Sequence, residues 1–95
     1  MKHLDFELAG KPAHGLELPL PGAPLVVAYG GVGFVMCGYL NIEAANKLNV
    51  PAAVVRGVST VDDLLNAKIQ QVSVSAAALG VTEGMTGREA LSRLA

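Results

Sequence analysis

The chain has 95 residues, of which 52% are hydrophobic and 16% charged, and its formal net charge is −1. Its seven Lys and Arg residues are scattered, which argues against nucleic-acid binding, since that needs clustered cations. The single cysteine excludes an internal disulfide and fits a reducing, cytoplasmic location.

So apolar a composition is unusual for a short chain. An average soluble domain contains roughly 25% charged residues, and a small domain has much surface for its volume. The simplest outlet for the excess apolar surface is contact between copies of the chain. We therefore expect a single domain, residues 1–95, that assembles as a homo-oligomer.

The first 20 residues predict a two-stranded ribbon. His3, Asp5 and Glu7 alternate with apolar residues, which indicates a half-buried strand. After a turn, the stretch GLELPL (15–20) alternates again and predicts a second strand with its leucines on one face. Because such a ribbon is marginal alone in water, we expect it to serve in oligomerisation.

No charge occurs between residues 18 and 42, and this stretch raises the question of a membrane span. Three prolines interrupt its first part and leave 16 apolar residues, 25–40, where a spanning helix needs about 20. The N-terminal sequence MKHLDFELAG also lacks the apolar stretch of a signal peptide. We expect neither membrane insertion nor export.

Residues 25–37 predict a β-hairpin instead. Two glycines, Gly30 and Gly31, suit a two-residue primed turn with positive φ, which pairs Tyr29 with Val32. One face of this hairpin then carries bulky side chains and the other mostly small ones. The small face predicts close packing of a helix.

The rest of the chain, after residue 40, alternates between helix and strand signals. Asn41, Thr60 and Thr86 predict three helix starts, and Thr86 with Glu89 forms a full capping box. Residues 52–57 and 69–75 predict strands, and AAALG (76–80) a short helix. The expected fold class is α+β: an N-terminal β-ribbon (1–20), then a mixed sheet covered by short helices (25–95).

Cys37 is the first candidate for chemistry. It lies near the end of a predicted strand, and a nucleophilic thiol needs a histidine, a cation or a helix N-terminus to activate it. A core position is the alternative, since a free cysteine in an apolar strand is usually a small buried hydrophobe. The sequence favours the core position.

Arg56 closes the apolar stretch AAVVRG, where a charge must find water, a carboxylate or an anionic ligand. An ion pair with Asp62 or Asp63, or with a partner subunit, is the preferred interpretation, and anion binding is the alternative. At residues 84–88, Arg88 and a helix start offer a second anion-binding candidate, although ordinary capping by Thr86 explains the same pattern.

The histidines His3 and His14 have no metal-ligand spacing with Cys37, and we expect both to be solvated. The sequence therefore predicts no metal site and no cofactor.

The segments GFVMCGYLNIEAANKL, AAVVRGVSTVDDLLNAKI and GVTEGMTGREAL occur here in the order and spacing found in the YunC-like family of small bacterial and archaeal proteins. The chain resembles that family from about residue 20 to residue 94. The resemblance implies an N-terminal β region that mediates tetramer formation, and it implies no activity, substrate or cofactor. It also marks motif positions, which are Cys37, Gly38, Asn41, Arg56, Gly57, Thr60 and residues 84–88. The ligand-binding candidates are Asn41, Arg56, Thr60, Thr86 and Arg88.

Two functions remain open at this point. The first is a non-enzymatic oligomeric domain that binds a small ligand or a protein partner. The second is a small hydrolase or transferase with a Cys37 thiol and Arg56 at an inter-subunit site. The first is preferred because no general base for the thiol is recognisable in the sequence.

Overall fold

A computed structural model describes residues 1–38 and 41–95. The described residues form a six-stranded sheet in which spatial order follows chain order. The strands are β1 (Lys2–Leu8), β2 (Lys11–Leu18), β3 (Leu25–Tyr29), β4 (Phe34–Met36), β5 (Ala52–Val54) and β6 (Gln71–Val72). The helices are α1 (Ile42–Lys47), α2 (Val61–Asn66), α3 (Val74–Ala78) and α4 (Gly87–Leu94). The predicted α+β class is confirmed.

The sheet is mixed. Neighbouring strands run antiparallel except β4 and β5, which are parallel. None of the helices in the two described ranges is both long and apolar enough to cross a membrane.

The ribbon of β1 and β2 forms as predicted. The face of β2 that packs against the helices is the one opposite its leucines. Gly15 lies under α2, where a Cβ would come within 2.7 Å of the Val61 side chain. Glu17 lies on the same face and accepts a hydrogen bond from the Val61 amide at 2.8 Å. A larger side chain than that of Gly15 would collide with α2, so a small residue lies beneath the helix. Leu16 lies on the opposite face, beside His3.

The hairpin of β3 and β4 also forms, with a register two residues away from the predicted one. Tyr29 pairs with Phe34, so the loop has four residues, 30–33, instead of two. A shift of two residues leaves every side chain on its predicted face. The expected primed turn is wrong, because neither Gly30 nor Gly31 has a positive φ.

The glycines of this loop serve close backbone approach. A Cβ on Gly30 would meet the Cα of Ala95, just after α4 ends. The carbonyl oxygen of Leu94 accepts hydrogen bonds from the amides of Val32 at 2.9 Å and Gly33 at 3.0 Å. The loop therefore caps the C-terminus of α4, which would otherwise leave unpaired carbonyl groups.

The predicted helix starts are confirmed. Asn41 accepts from the amide of Glu43 at 2.8 Å, and Thr60 accepts from that of Asp63 at 3.0 Å. Thr86 and Glu89 form the predicted capping box.

The strand predicted at 69–75 is shortened because Ser73 begins α3. Its buried hydroxyl accepts from the amides of Ala76 at 3.2 Å and Ala52 at 2.9 Å, and donates to the carbonyl of Val50 at 3.1 Å. Ser73 therefore links β5 to α3.

The two faces of the sheet bury different clusters. The larger cluster lies between the sheet and helices α2 and α4 and includes Val26, Ala28, Val35, Leu64 and Leu91. The small-residue face of the hairpin is thus packed against helices, as predicted.

The smaller cluster lies beneath α1 and consists of Met36, Ala45, Ala52 and Val54. Beyond α1, this face leaves side chains partly or largely exposed. We call them the open apolar surface: Leu16, Val27, Tyr29, Val32 and Phe34. Four of these residues, all but Leu16, border a shallow depression of about 440 Å³.

Candidate functional site

The parallel pair β4 and β5 brings Cys37 and Arg56 to one edge of the sheet. Met36 lies beside Val54, so the residues that follow the two strands leave the sheet next to each other. Ligands of open α/β sheets commonly bind outside the carboxyl ends of such strands. The sequence does not show that Cys37 and Arg56 are neighbours, because the order of strands in a sheet is set by tertiary packing.

A cavity of about 260 Å³ lies at this edge. The strand ends form one wall, and the proline-rich connector between β2 and β3 forms another. The lining residues are Ala23, Pro24, Cys37, Gly38, Gly57 and Val58. We refer to it as the strand-end cavity.

Cys37 lies at the cavity but faces largely inward, with only 5% of the residue exposed. Its amide donates to the carbonyl of Val26 at 3.0 Å, and its sulfur accepts from the Val26 amide at 3.4 Å. Among the described residues, no histidine or carboxylate forms a hydrogen bond with this thiol. These contacts favour the predicted core position for Cys37.

Arg56 is exposed beside the cavity. Its Nη1 atom lies 3.0 Å from the position that a Cβ on Gly38 would take, so the guanidinium lies over this glycine. The preferred ion pair with Asp62 or Asp63 does not form. Asp63 instead accepts a hydrogen bond from the Ser59 amide at 3.2 Å, which holds its carboxylate at the start of α2.

Within residues 1–38 and 41–95, Arg56 has no ion-pair partner. A cation therefore faces solvent beside an apolar cavity.

Comparison with known proteins identifies the chain. The model of the domain of unknown function DUF1805 matches residues 36–94, more than half of the sequence. The chain belongs to the DUF1805 family. The YunC-like resemblance seen in the sequence is thereby confirmed.

A curated relative of this DUF1805 protein is the uncharacterized protein YunC of Bacillus subtilis (strain 168). The two are 32% identical over 91 residues, which cover 92% of this chain and 90% of YunC. A similar solved structure is that of TA1206, a protein of unknown function from Thermoplasma acidophilum. It shares 35% identity and a TM-score of 0.91, over 100% of this chain and 97% of the other.

The segment matched by the DUF1805 model contains both strand ends of the cavity. Cys37, Gly38, Arg56 and Gly57 all fall inside it, whereas the ribbon of β1 and β2 precedes it. The sequence marked Gly38 and Gly57 as motif positions without a role at the site, and it missed Val58 and the connector residues Ala23 and Pro24 altogether. The signal that was present is Gly57 directly after Arg56, because a glycine there permits the positive φ of +72° that turns the chain at the cavity.

The remaining ligand-binding candidates of this DUF1805 chain lie apart from the cavity. Asn41, Thr60 and Thr86 use their side-chain oxygens to cap helices, and none of them lines it. Arg88 is exposed in the first turn of α4.

The carboxylate of Glu89 lies in the same turn of α4. Hydrogen bonds from the backbone and hydroxyl of Thr86 lower the pKa of Glu89, and the charges of Arg93 and Lys68 act in the same direction. A negative charge at this helix start disfavours a bound anion.

The histidines are less simply solvated than the sequence predicted. The His14 ring lies at hydrogen-bond distance from the Asp5 carboxylate, with 2.6 Å between Nδ1 and Oδ1. This hydrogen bond lowers the pKa of Asp5, and the nearby charge of His3 adds to the effect. On its other side, the His14 ring lies 5.1 Å from the ring of Tyr29.

Proposed function

We propose that this DUF1805 protein is a non-catalytic, oligomeric binding domain that takes a small anionic molecule, a carboxylate or a phosphate, at the strand-end cavity. The observation that carries this proposal is the Arg56 guanidinium. It is exposed over Gly38 beside an apolar cavity and has no carboxylate partner among the described residues.

The chemistry of arginine supports an anion. A guanidinium presents a planar set of donors that matches a carboxylate or phosphate in a bidentate arrangement. The cavity volume of about 260 Å³ is near the lower limit for ligand pockets, which start at roughly 300 Å³. The ligand is therefore small, with its apolar part against the lining and its charged group at Arg56.

Glycines leave room for such a ligand. A Cβ on Gly57 would meet no atom within 4 Å, so the space in front of this residue is open. At Gly38, a Cβ would press on the guanidinium itself.

The enzyme alternative has less support from the same residues. Cys37 is almost fully buried, and its sulfur is held by the Val26 amide. Thiol catalysis needs a thiolate that is accessible and paired with a base or cation. The contacts of Cys37 are those of a core residue that forms one wall of the cavity.

The oligomeric part of the proposal is supported by the open apolar surface. Tyr29 and Val32 are exposed hydrophobic residues on the sheet face that α1 leaves uncovered. A second copy of the chain is the simplest cover, and the family resemblance implies four copies in a tetramer. A cytoplasmic location agrees with the free cysteine.

The binding proposal is tested by calorimetric titration of the full-length protein with small mono- and dicarboxylates and with inorganic phosphate. For any ligand that binds, Arg56→Gln should weaken binding about tenfold or more, because a hydrogen bond between charged groups contributes about 1.5–3 kcal/mol. Arg88→Gln is the matched control, since it removes an exposed guanidinium that is not part of the cavity lining and should leave affinity unchanged.

Gly38→Ala is a second variant that should weaken binding. The added methyl group displaces the Arg56 guanidinium without removing its charge. The proposal fails if none of the anions binds, or if Arg88→Gln weakens binding as much as Arg56→Gln.

A further inference from the structure

The ribbon brings three metal-ligating side chains together on one face. β1 and β2 pair in regular antiparallel register, with Asp5 directly opposite His14. His3 lies two residues before Asp5 on the same face of β1. One oxygen of Asp5 lies 2.6 Å from Nδ1 of His14 and 3.7 Å from Nε2 of His3.

We propose that His3, Asp5 and His14 bind one divalent ion of a late first-row transition metal, of which Zn²⁺ is the type case. Their ligand atoms all lie within 4.8 Å of one another. In a tetrahedral zinc site with bonds of about 2.0–2.2 Å, ligand atoms are about 3.4 Å apart. The His3 and Asp5 side chains are 49% and 70% exposed, so their rotation can bring His3 closer and open the 2.6 Å contact between Asp5 and His14 to this spacing.

The donor set selects the class of ion. Two imidazole nitrogens and one carboxylate oxygen suit zinc and its neighbours, whereas magnesium and calcium prefer oxygen ligands alone. His14 coordinates through Nδ1, so its neutral ring carries the proton on Nε2, and His3 coordinates through Nε2 with its proton on Nδ1. Metal binding at Nδ1 of His14 replaces the hydrogen bond that this atom makes with the Asp5 carboxylate, so the ring proton moves to Nε2.

The charges around the cluster favour a cation. Glu7 lies on the same face as His3 and Asp5, and its carboxylate adds negative charge. The lysines of the two strands, Lys2 and Lys11, alternate onto the opposite face. Among the described side chains of the ribbon, this face therefore carries carboxylates and imidazoles but no ammonium or guanidinium group.

The two strands position these residues firmly, because their backbones are fixed by sheet hydrogen bonds. The His3 and His14 rings lie nearly parallel, with an interplanar angle of 10° and centroids 5.9 Å apart. Three protein ligands leave at least one coordination position of the metal open. Water can reach this position, because the Asp5 side chain is 70% exposed. The site shares no residue with the strand-end cavity, so its test is independent of the proposed function.

The experiment is a calorimetric titration of full-length protein, free of any histidine tag and stripped with a chelator, with ZnCl₂. We expect one Zn²⁺ per chain. His3→Ala, Asp5→Asn and His14→Ala should each weaken binding by at least about 10–100-fold, since loss of even an outer-shell partner has that effect. Glu7→Gln is the matched control on the same strand and face, and it should keep the stoichiometry and most of the affinity.

Two further measurements secure the result. Co²⁺ should give a visible d–d absorption band in the wild type that His3→Ala loses, and circular dichroism should show that this exposed substitution leaves the fold intact. MgCl₂ should not displace Zn²⁺. The proposal is overturned if Zn²⁺ does not bind, if the histidine variants bind it as well as the wild type, or if Glu7→Gln weakens binding as much as they do.

Discussion

The two faces of the sheet differ in what covers them. On one face, small residues such as Ala28 and Gly15 let α2 and α4 approach the strands closely. On the other, α1 is the one helix of the described residues that covers part of the strands, and bulky side chains such as Tyr29 and Phe34 remain partly exposed. The uncovered part of the sheet is therefore its apolar, bulky-residue side.

This difference shows that hydrophobicity alone does not mark the interior of this protein. The covered face of the hairpin is built from its smaller side chains, because the distance between helix and sheet is set by steric fit. The larger aromatic side chains lie where no helix of the described chain reaches them. Three substitution pairs put this contrast to the test, beginning with the largest expected change in stability.

Leu91→Ala should cause the largest loss. Leu91 is fully buried between α4 and the covered face, and truncation of a buried leucine to alanine typically costs about 2–5 kcal/mol of unfolding free energy. Leu48→Ala makes the same chemical change just after α1, at a residue 73% exposed, and should alter stability by no more than about 0.5 kcal/mol. Urea denaturation at fixed protein concentration measures the unfolding free energy of both variants. Equal losses of unfolding free energy would contradict the contrast between the faces.

Gly30→Ala should have an intermediate effect. The new methyl group would meet the backbone at Leu94 and Ala95, and overpacking of this kind costs about 1–3 kcal/mol. Gly31→Ala is its matched control, because a Cβ there comes no closer than 4.0 Å to the Ala95 backbone. If thermal unfolding shows the same melting temperature for both variants, the close contact between the loop and α4 does not restrain the fold.

The double variant Tyr29→Asp and Val32→Asp should change the stability of the chain less than Leu91→Ala or Gly30→Ala. Its main effect should be on assembly. Light scattering of the wild type should give several times the chain mass of 9.7 kDa, and the double variant should give less. Val74→Asp changes a residue on α3 that is 75% exposed and should keep the wild-type mass. A wild-type mass of 9.7 kDa would refute the assembly.

The sequence predicted those features that local chemistry determines. The caps at Asn41, Thr60 and Thr86, the alternation in β1 and the distribution of small residues in the hairpin all follow from short-range rules, and the structure confirms them. The family resemblance was also visible in short motifs.

The features it missed depend on approach between distant segments. The sequence predicts a turn with positive φ at Gly30, whereas this glycine makes room for the end of α4. The sequence put the leucines of β2 on one face but did not show that α2 packs on the other face, over Gly15. The cavity depends on β4 and β5 being parallel neighbours, and the histidine cluster depends on the register between β1 and β2. No local pattern encodes these placements.

The pairing of β2 with β3 has a practical consequence for anyone who shortens this protein. The family match begins at residue 36, yet the sheet extends through three strands before that boundary. A fragment trimmed of residues 1–18 would leave the backbone of Leu25–Tyr29 paired on one side alone, with β4, and expose its other edge to other molecules. Such a fragment should aggregate rather than fold as a minimal domain, so the ribbon belongs in any version intended to stay in solution.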